Sequence, residues 1–150
     1  MPLIKLKTYI KADQRRCFDL ARDIDFHQDS LKHTKEKAVA GRISGLIQLG
    51  ESVTWEATHL GVTQHLTSKI TEMHIPHSFI DEMVEGPFKL MKHEHYFNQK
   101  GDTTKMVDLF YFESPYGFLG HLVNLLFLKK YLTKLLMKRN EAIKKKAEFK

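Results

Sequence analysis

Apolar and polar residues alternate from Leu3 to Ile10, the two-residue period of a strand with one buried face. The alternation sets this stretch apart from the continuous apolar block of a signal peptide. Asp13 then stands where a helix cap is needed, and Cys17, Phe18, Ala21 and Ile24 recur behind it at helical spacing. A second short helix is expected over residues 25–32. Three glycines fall within residues 41–50, without the Gly-x-Gly-x-x-Gly or Gly-Lys-Ser/Thr patterns that cradle phosphate. This segment reads as a connecting loop, and no cofactor is expected.

From Glu51 to Ser114 the chain is cut into strands by turn signals at Leu60-Gly61, Ile75-Pro76, Gly86-Pro87 and Lys100-Gly101-Asp102. Connections this short permit antiparallel pairing and leave no room for the crossover helix of a parallel sheet, which excludes a doubly wound fold. After Pro115, Tyr116 and Gly117 the final helix carries Leu122, Val123, Leu126, Leu132, Leu135, Leu136 and Ile143 as one apolar stripe, opposite Lys130, Lys134, Lys138 and Lys145. The order predicts an α+β fold in one domain spanning residues 1–150. A curved antiparallel sheet wraps a long C-terminal helix, and two short helices follow the first strand.

Sorting the last three strands by alternation gives one face bearing Phe79, Asp81 and Met83, then Met91, His93, His95 and Phe97, then Met106, Asp108, Phe110 and Phe112. The other faces carry Glu82, Lys92, Glu94 and Lys105. With Lys100-Gly101 as a two-residue turn, His93 is expected opposite Asp108 and His95 opposite Met106. Carboxylates set among aromatic and Met side chains are costly unless paired with imidazole, water or a ligand. The pattern therefore points to a roomy, partly polar pocket more than to a solid core. Trp55, on a strand whose Val53 and Ala57 also turn inward, is expected in its wall, and Leu122 and Leu126 of the helix stripe are expected to close it.

Two chemical readings compete at this face. In the first, Asp108 orients His93 as a general base toward a bound carbonyl compound, although no oxyanion hole or nucleophile motif is recognisable. In the second, the four polar groups satisfy one another or orient a ligand. A metal shell from His93 and His95 with Asp81 or Asp108 is weakly signalled, since imidazoles about 7 Å apart along a strand are common by chance in a histidine-rich chain, and no metal is expected. His27, His33, His65, His74 and His77 show no constellation, and Cys17 reads as an inert core thiol.

Composition adds little to this. The 150 residues are 42% hydrophobic, enough to build a sizeable core, and the single cysteine cannot form an internal disulfide, so a cytoplasmic location is expected. The net charge of +6 is concentrated in residues 129–150, where nine Lys/Arg face Glu141 and Glu148. A solvated helix face explains such a run, so no nucleic acid is expected, while peripheral contact with an anionic membrane is a candidate use of the basic edge. Monomer and homodimer both stay open.

The spacing of Gly50-Glu51 ahead of Val53-Thr54-Trp55, of Phe79-x-Asp81-x-Met83 ahead of Gly86-Pro87-Phe88, of His93-x-His95-x-Phe97, of Met106-x-Asp108 and of Pro115-x-Gly117 resembles the SRPBCC superfamily, the START and birch-pollen-allergen-like helix-grip proteins. More narrowly it resembles a bacterial branch labelled polyketide cyclase-like or cell-division-inhibitor-like. The resemblance runs over nearly the whole chain. It implies a helix-grip fold with a deep cavity for a small hydrophobic ligand such as a lipid, polyketide or isoprenoid-like molecule. It leaves open a cyclase or dehydratase activity, or a regulatory domain acting through the basic helix.

Overall fold

The alternation of the C-terminal strands is realised residue by residue. In a computed structural model, which describes residues 3–114 and 118–149 with backbone alone for 118–125, Thr104, Met106, Asp108, Phe110 and Phe112 are buried while their neighbours are half-buried. They belong to β7 (Thr103–Glu113), the last of seven strands; the others are β1 (Leu3–Ile10), β2 (Lys37–Gly41), β3 (Ser52–His59), β4 (Val62–His74), β5 (Ser78–Glu85) and β6 (Leu90–Lys100). Two short helices, α1 (Gln14–Ala21) and α2 (Ile24–Ser30), follow β1, and a long helix α3 (Phe118–Glu148) ends the fold. All strands pair antiparallel in the order β1-β7-β6-β5-β4-β3-β2, a meander closed at one edge by the first strand.

The helix starts are fixed by carboxylates. Asp13 accepts from the Arg16 amide at 2.8 Å and Asp23 from the Phe26 amide at 3.0 Å, each satisfying an amide that has no partner within its helix. The second cap splits the helical pattern one residue before Ile24, so Ile24 opens α2 instead of closing α1. A short strand that the sequence reading left out, β2, pairs with β3 just before the glycine-rich segment. Gly41 sits at its end with φ +73°, and a Cβ there would collide with the Ser52 carbonyl oxygen, which instead accepts from the Arg42 amide at 2.7 Å.

The β6–β7 turn corrects the expected register. Lys100 pairs with Thr103, which leaves Gly101-Asp102 as the turn. Gly101 takes φ +62°, the positive angle that a hairpin with glycine at its first central position requires. His93 therefore lies opposite Phe110, and His95 lies opposite Asp108. Because the slip is two residues, every side chain keeps the face expected of it.

On α3, Lys130, Lys134, Lys138 and Lys145 are exposed, while Ile143 is buried and Leu132, Leu135 and Leu136 are half-buried against the sheet. Leu126, expected inside, is 72% exposed. Leu122 and Val123, and the motif at 115–117, lie outside the described residues and side chains. Among the described residues no helix is long and apolar enough to cross a membrane.

The core is in two parts. One gathers Ile10, Cys17, Phe18, Phe97, Met106 and Ile143 where α1 and the end of α3 meet the sheet; Phe18 stands edge-on to Phe79 and Phe97 at 5.4 and 5.3 Å. The other gathers Ile4, Met91, Phe110 and Phe112, with Met83, Phe88, Leu132 and Leu136 against them.

Candidate functional site

A layer of polar side chains separates the two apolar clusters. The inward apolar row is interrupted by Thr8 on β1 between Leu6 and Ile10, by Ser68 on β4 between Leu66 and Ile70, and by Asp81 on β5 between Phe79 and Met83. On β6 it is interrupted by His93 and His95 between Met91 and Phe97, on β7 by Asp108 between Met106 and Phe110, and on α3 by Arg139 and Asn140 between Leu136 and Ile143. The ladders set these residues within one register step of one another, so the sheet supplies the floor of the layer and the helix its roof.

The layer is a continuous hydrogen-bonded chain. The Asn140 amide donates to Thr8 Oγ1 at 3.3 Å and to Asp108 Oδ2 at 2.8 Å. Asp108 Oδ1 accepts from Arg139 at 3.1 Å and lies 2.8 Å from His93 Nε2. His95 Nε2 lies 2.7 Å from Asp81 Oδ1, and Ser68 donates to Asp81 Oδ2 at 3.0 Å. The other terminal nitrogen of Arg139, Nη2, reaches the Ala21 carbonyl and His95 Nδ1, both at 3.4 Å. The imidazoles stack face to face, His93 on His95 at 3.7 Å and His95 on Phe79 at 4.0 Å.

Electrostatics assigns the protons. Burial and the neighbouring His93 push His95 down to about 3, so it is neutral. Burial alone would raise both acids, but the hydrogen bond from His95 brings Asp81 down to about 2, and His93 with Arg139 holds Asp108 well below the usual carboxylate range. Two carboxylates then require N–H donors, so Nε2 of each histidine carries a proton. His95 Nδ1 is left as an acceptor for Arg139. His93 Nδ1 has no hydrogen-bond partner among the described residues.

Beside this layer, between sheet and α3, lies a cavity of about 470 Å³. Its floor is His93, His95, Asp81, Ser68 and Arg139; Val53, Trp55, Ala57, Leu66, Ile70, Phe79, Met91 and Phe110 form the sheet wall, and Leu128, Leu132, Leu135 and Leu136 the helix wall. A second polar group lines it between α2 and α3. There His27 Nε2 contacts Glu36 at 2.5 Å, the His27 ring packs on Trp55 at 4.4 Å, and His59 Nδ1 meets the Tyr131 hydroxyl at 2.8 Å. Burial would raise Glu36, yet the His27 charge holds it below its usual value, while burial lowers His59.

Of the residues expected at the site, Trp55, Phe79, Asp81, Met91, His93, His95 and Phe110 line the cavity. Asp108 is fully buried directly behind His93. Phe97 and Met106 are packed into the first cluster, where α1 meets the sheet, and Phe112 and Met83 pack in the second cluster without reaching the cavity. Leu126 points to solvent, one residue short of Phe127 and Leu128, which do line the cavity. His27 and His65, expected to belong to no constellation, line it as well.

The residues missed are Arg139 and Asn140, with Arg22, Glu36, His59 and Tyr131. Arg139 had a signal: the stripe Leu132, Leu136, Ile143 has helical spacing only if position 139 belongs to it, so a cation occupies an apolar-face position. Among the described residues, Asp81, His93 and His95 also place three possible metal-ligand atoms within 4.8 Å of one another. Asp81 and His95 are already bonded to each other at 2.7 Å.

The curved seven-stranded antiparallel sheet, the long C-terminal helix and the two short helices after the first strand make a helix-grip fold. No family model and no curated protein matches the sequence. Among solved structures, the chain is similar to the ZhuI aromatase/cyclase of Streptomyces sp. R1128, with a TM-score of 0.78 at 13% identity over 98% of this chain and 93% of that one. It is similar to the protein TTHA0849 of Thermus thermophilus, with a TM-score of 0.73 at 21% identity over 95% of this chain and 97% of that one. A START superfamily protein of Mycobacterium smegmatis superposes with a TM-score of 0.70 at 13% identity over 97% of both chains. At these identities the likeness is one of fold.

Proposed function

We propose that this protein binds a small hydrophobic molecule in the cavity between its sheet and α3, oriented by the polar layer beneath. The carrying observation is that an apolar hollow of about 470 Å³, within the range of small-molecule sites, is floored by a few convergent polar groups. Trp55 is the only tryptophan and lines the hollow, so binding is read directly by its fluorescence. Titration with the neutral probe N-phenyl-1-naphthylamine is expected to change that fluorescence saturably, and native mass spectrometry of the purified protein to show a co-purified mass. A protein that binds no probe and carries no mass would end this reading.

A second reading is favoured by His93. Its Nε2 is fixed by Asp108 while Nδ1 has no described partner at the cavity, the arrangement a general base needs to take a proton from an acidic C–H of a bound carbonyl compound. His93→Ala separates the two: a carrier keeps its cargo unchanged in kind, whereas an enzyme accumulates unconverted substrate.

The exposed Leu126 and Phe127 beside Lys129 and Lys130 support contact of this end of α3 with an anionic membrane as the source of cargo. Cosedimentation with phosphatidylserine vesicles at low salt is the expected result, and its absence ends that proposal.

A further inference from the structure

The cavity does not share the basic character of the protein around it. The chain carries 24 Lys and Arg residues and a net charge of +6, yet among the described residues no lysine lines the cavity. Its charged lining is Arg22 and Arg139 against Asp23, Glu36 and Asp81, with Asp108 directly behind the floor. Neither arginine is available to an anion. Arg22 is 4% exposed and directed into Asp19, the Ile47 carbonyl and Gln48; Arg139 is 5% exposed and directed into Asp108, Asn140, Ala21 and His95. Glu36 has His27 as its partner.

What the floor offers is lone pairs. Asp81 receives one hydrogen bond on each oxygen, from His95 and Ser68, and each carboxylate oxygen has a further lone pair. Its side chain keeps 19% exposure and lines the cavity. His93, with Nε2–H committed to Asp108, has at Nδ1 no hydrogen-bond partner among the described residues. The floor donors, Ser68 Oγ–H, His95 Nε2–H and the Arg139 N–H groups that touch the layer, already point at protein acceptors.

We propose that the guest is a lipophilic cation, an apolar molecule whose protonated amine docks against Asp81. The ammonium supplies the donors that the floor lacks and the positive charge that Asp81 is short of, while the chain or ring system fills the apolar hollow. A carboxylic acid of the same shape would bring a further negative charge to a site whose only cations are already paired. This inference rests on the cavity being a ligand site.

The test is a matched set of probes on the wild-type protein, read by Trp55 fluorescence and by displacement of N-phenyl-1-naphthylamine at neutral pH: decylamine, decyltrimethylammonium, 1-decanol and decanoate. Decylamine is expected to bind about tenfold tighter than decanol, decyltrimethylammonium to fall below decylamine because it has no N–H, and decanoate to be weakest. In Asp81→Asn the affinity ratio of decylamine to decanol, both measured on the variant, is expected to shrink to within about threefold; the probe ranking in the wild type stands without this variant. Decanoate binding as tightly as decylamine, or an amine advantage that survives in a folded Asp81→Asn, overturns the inference while leaving the cavity a ligand site. Zinc chloride alone binding at the floor and excluding decylamine makes it a metal site and overturns it too. Failure of every probe, the neutral one included, removes the ligand-binding reading itself.

Discussion

His93 Nε2 lies 2.8 Å from Asp108 Oδ1 although the two residues do not face each other in the ladder, His93 standing opposite Phe110 and Asp108 opposite His95. The same diagonal reach joins His95 to Asp81, whose ladder partner is His93. Each imidazole leans one step along the sheet, which is what allows the rings to stack at 3.7 Å while both tips meet carboxylates. Asp108 thereby gathers donors from a strand and a helix at once, His93 on one side and Arg139 with Asn140 on the other.

Removing that acceptor leaves buried donors unmatched. Asp108→Ala is expected to lower stability by about 3–5 kcal/mol, the range for breaking a buried ion pair by deleting one partner. Urea unfolding checks this, and a loss below about 1 kcal/mol would show that the layer is not held through Asp108.

The neutral state of His95 makes stability pH-dependent. Its value falls from 6.5 to about 3 on folding, so the unfolded chain binds a proton at this position that the native protein does not. Its contribution is fully present above about pH 6.5 and is lost as the pH falls toward about 3, by about 1.4 kcal/mol per pH unit. Asp81, lowered to about 2, acts in the same direction but only below its ordinary range near 3.8. Unfolding free energies from pH 7 to 4.5 are expected to slope downward in the wild type and less steeply in His95→Gln; equal slopes would place the titration elsewhere.

Filling the hollow separates binding from folding. Ala57 is buried at the cavity wall, so Ala57→Phe is expected to abolish probe binding with a melting temperature unchanged or raised. Met106→Ala, in the packed cluster on the other side of the polar layer, is expected to cost about 2–5 kcal/mol while leaving the ranking of probes as it was.

The Tyr131 hydroxyl joins α3 to the end of β3 through His59. Tyr131→Phe is expected to cost about 1 kcal/mol and to speed hydrogen exchange in the β3–β4 hairpin while leaving β6 and β7 protected. Uniform acceleration across the sheet would contradict a local tie.

The meander from β3 to β7 follows from its turn signals and the inward face of the last three strands from alternation, because a period of two leaves a half-buried strand only two choices of face, whereas the short β2 carries no such signal. What alternation cannot set is register, and the turn was misplaced by one residue since Lys100-Gly101 and Gly101-Asp102 carry equally good turn residues. Hollow and solid parts of one inward face look alike in sequence. Phe97 and Phe110 are both aromatic residues pointing inward, and only the position of α1 decides that Phe97 is packed while Phe110 meets the cavity. Arg139 was counted among the basic surface residues because charge was read as a run along the helix. Placed on the helical stripe, it would have appeared as the counter-ion of the acids.

The polar layer also sets how this protein can change. Phe18, Met106 and Ile143 are packed away from the cavity, whereas its walls are drawn from both apolar clusters, Val53, Ile70 and Phe79 from one and Leu66, Met91 and Phe110 from the other. Substitutions at Leu66, Leu132 or Leu135 can therefore re-tailor the chamber for a different occupant while the foundation keeps its strength. A scaffold partitioned in this way can acquire new tastes without first becoming fragile.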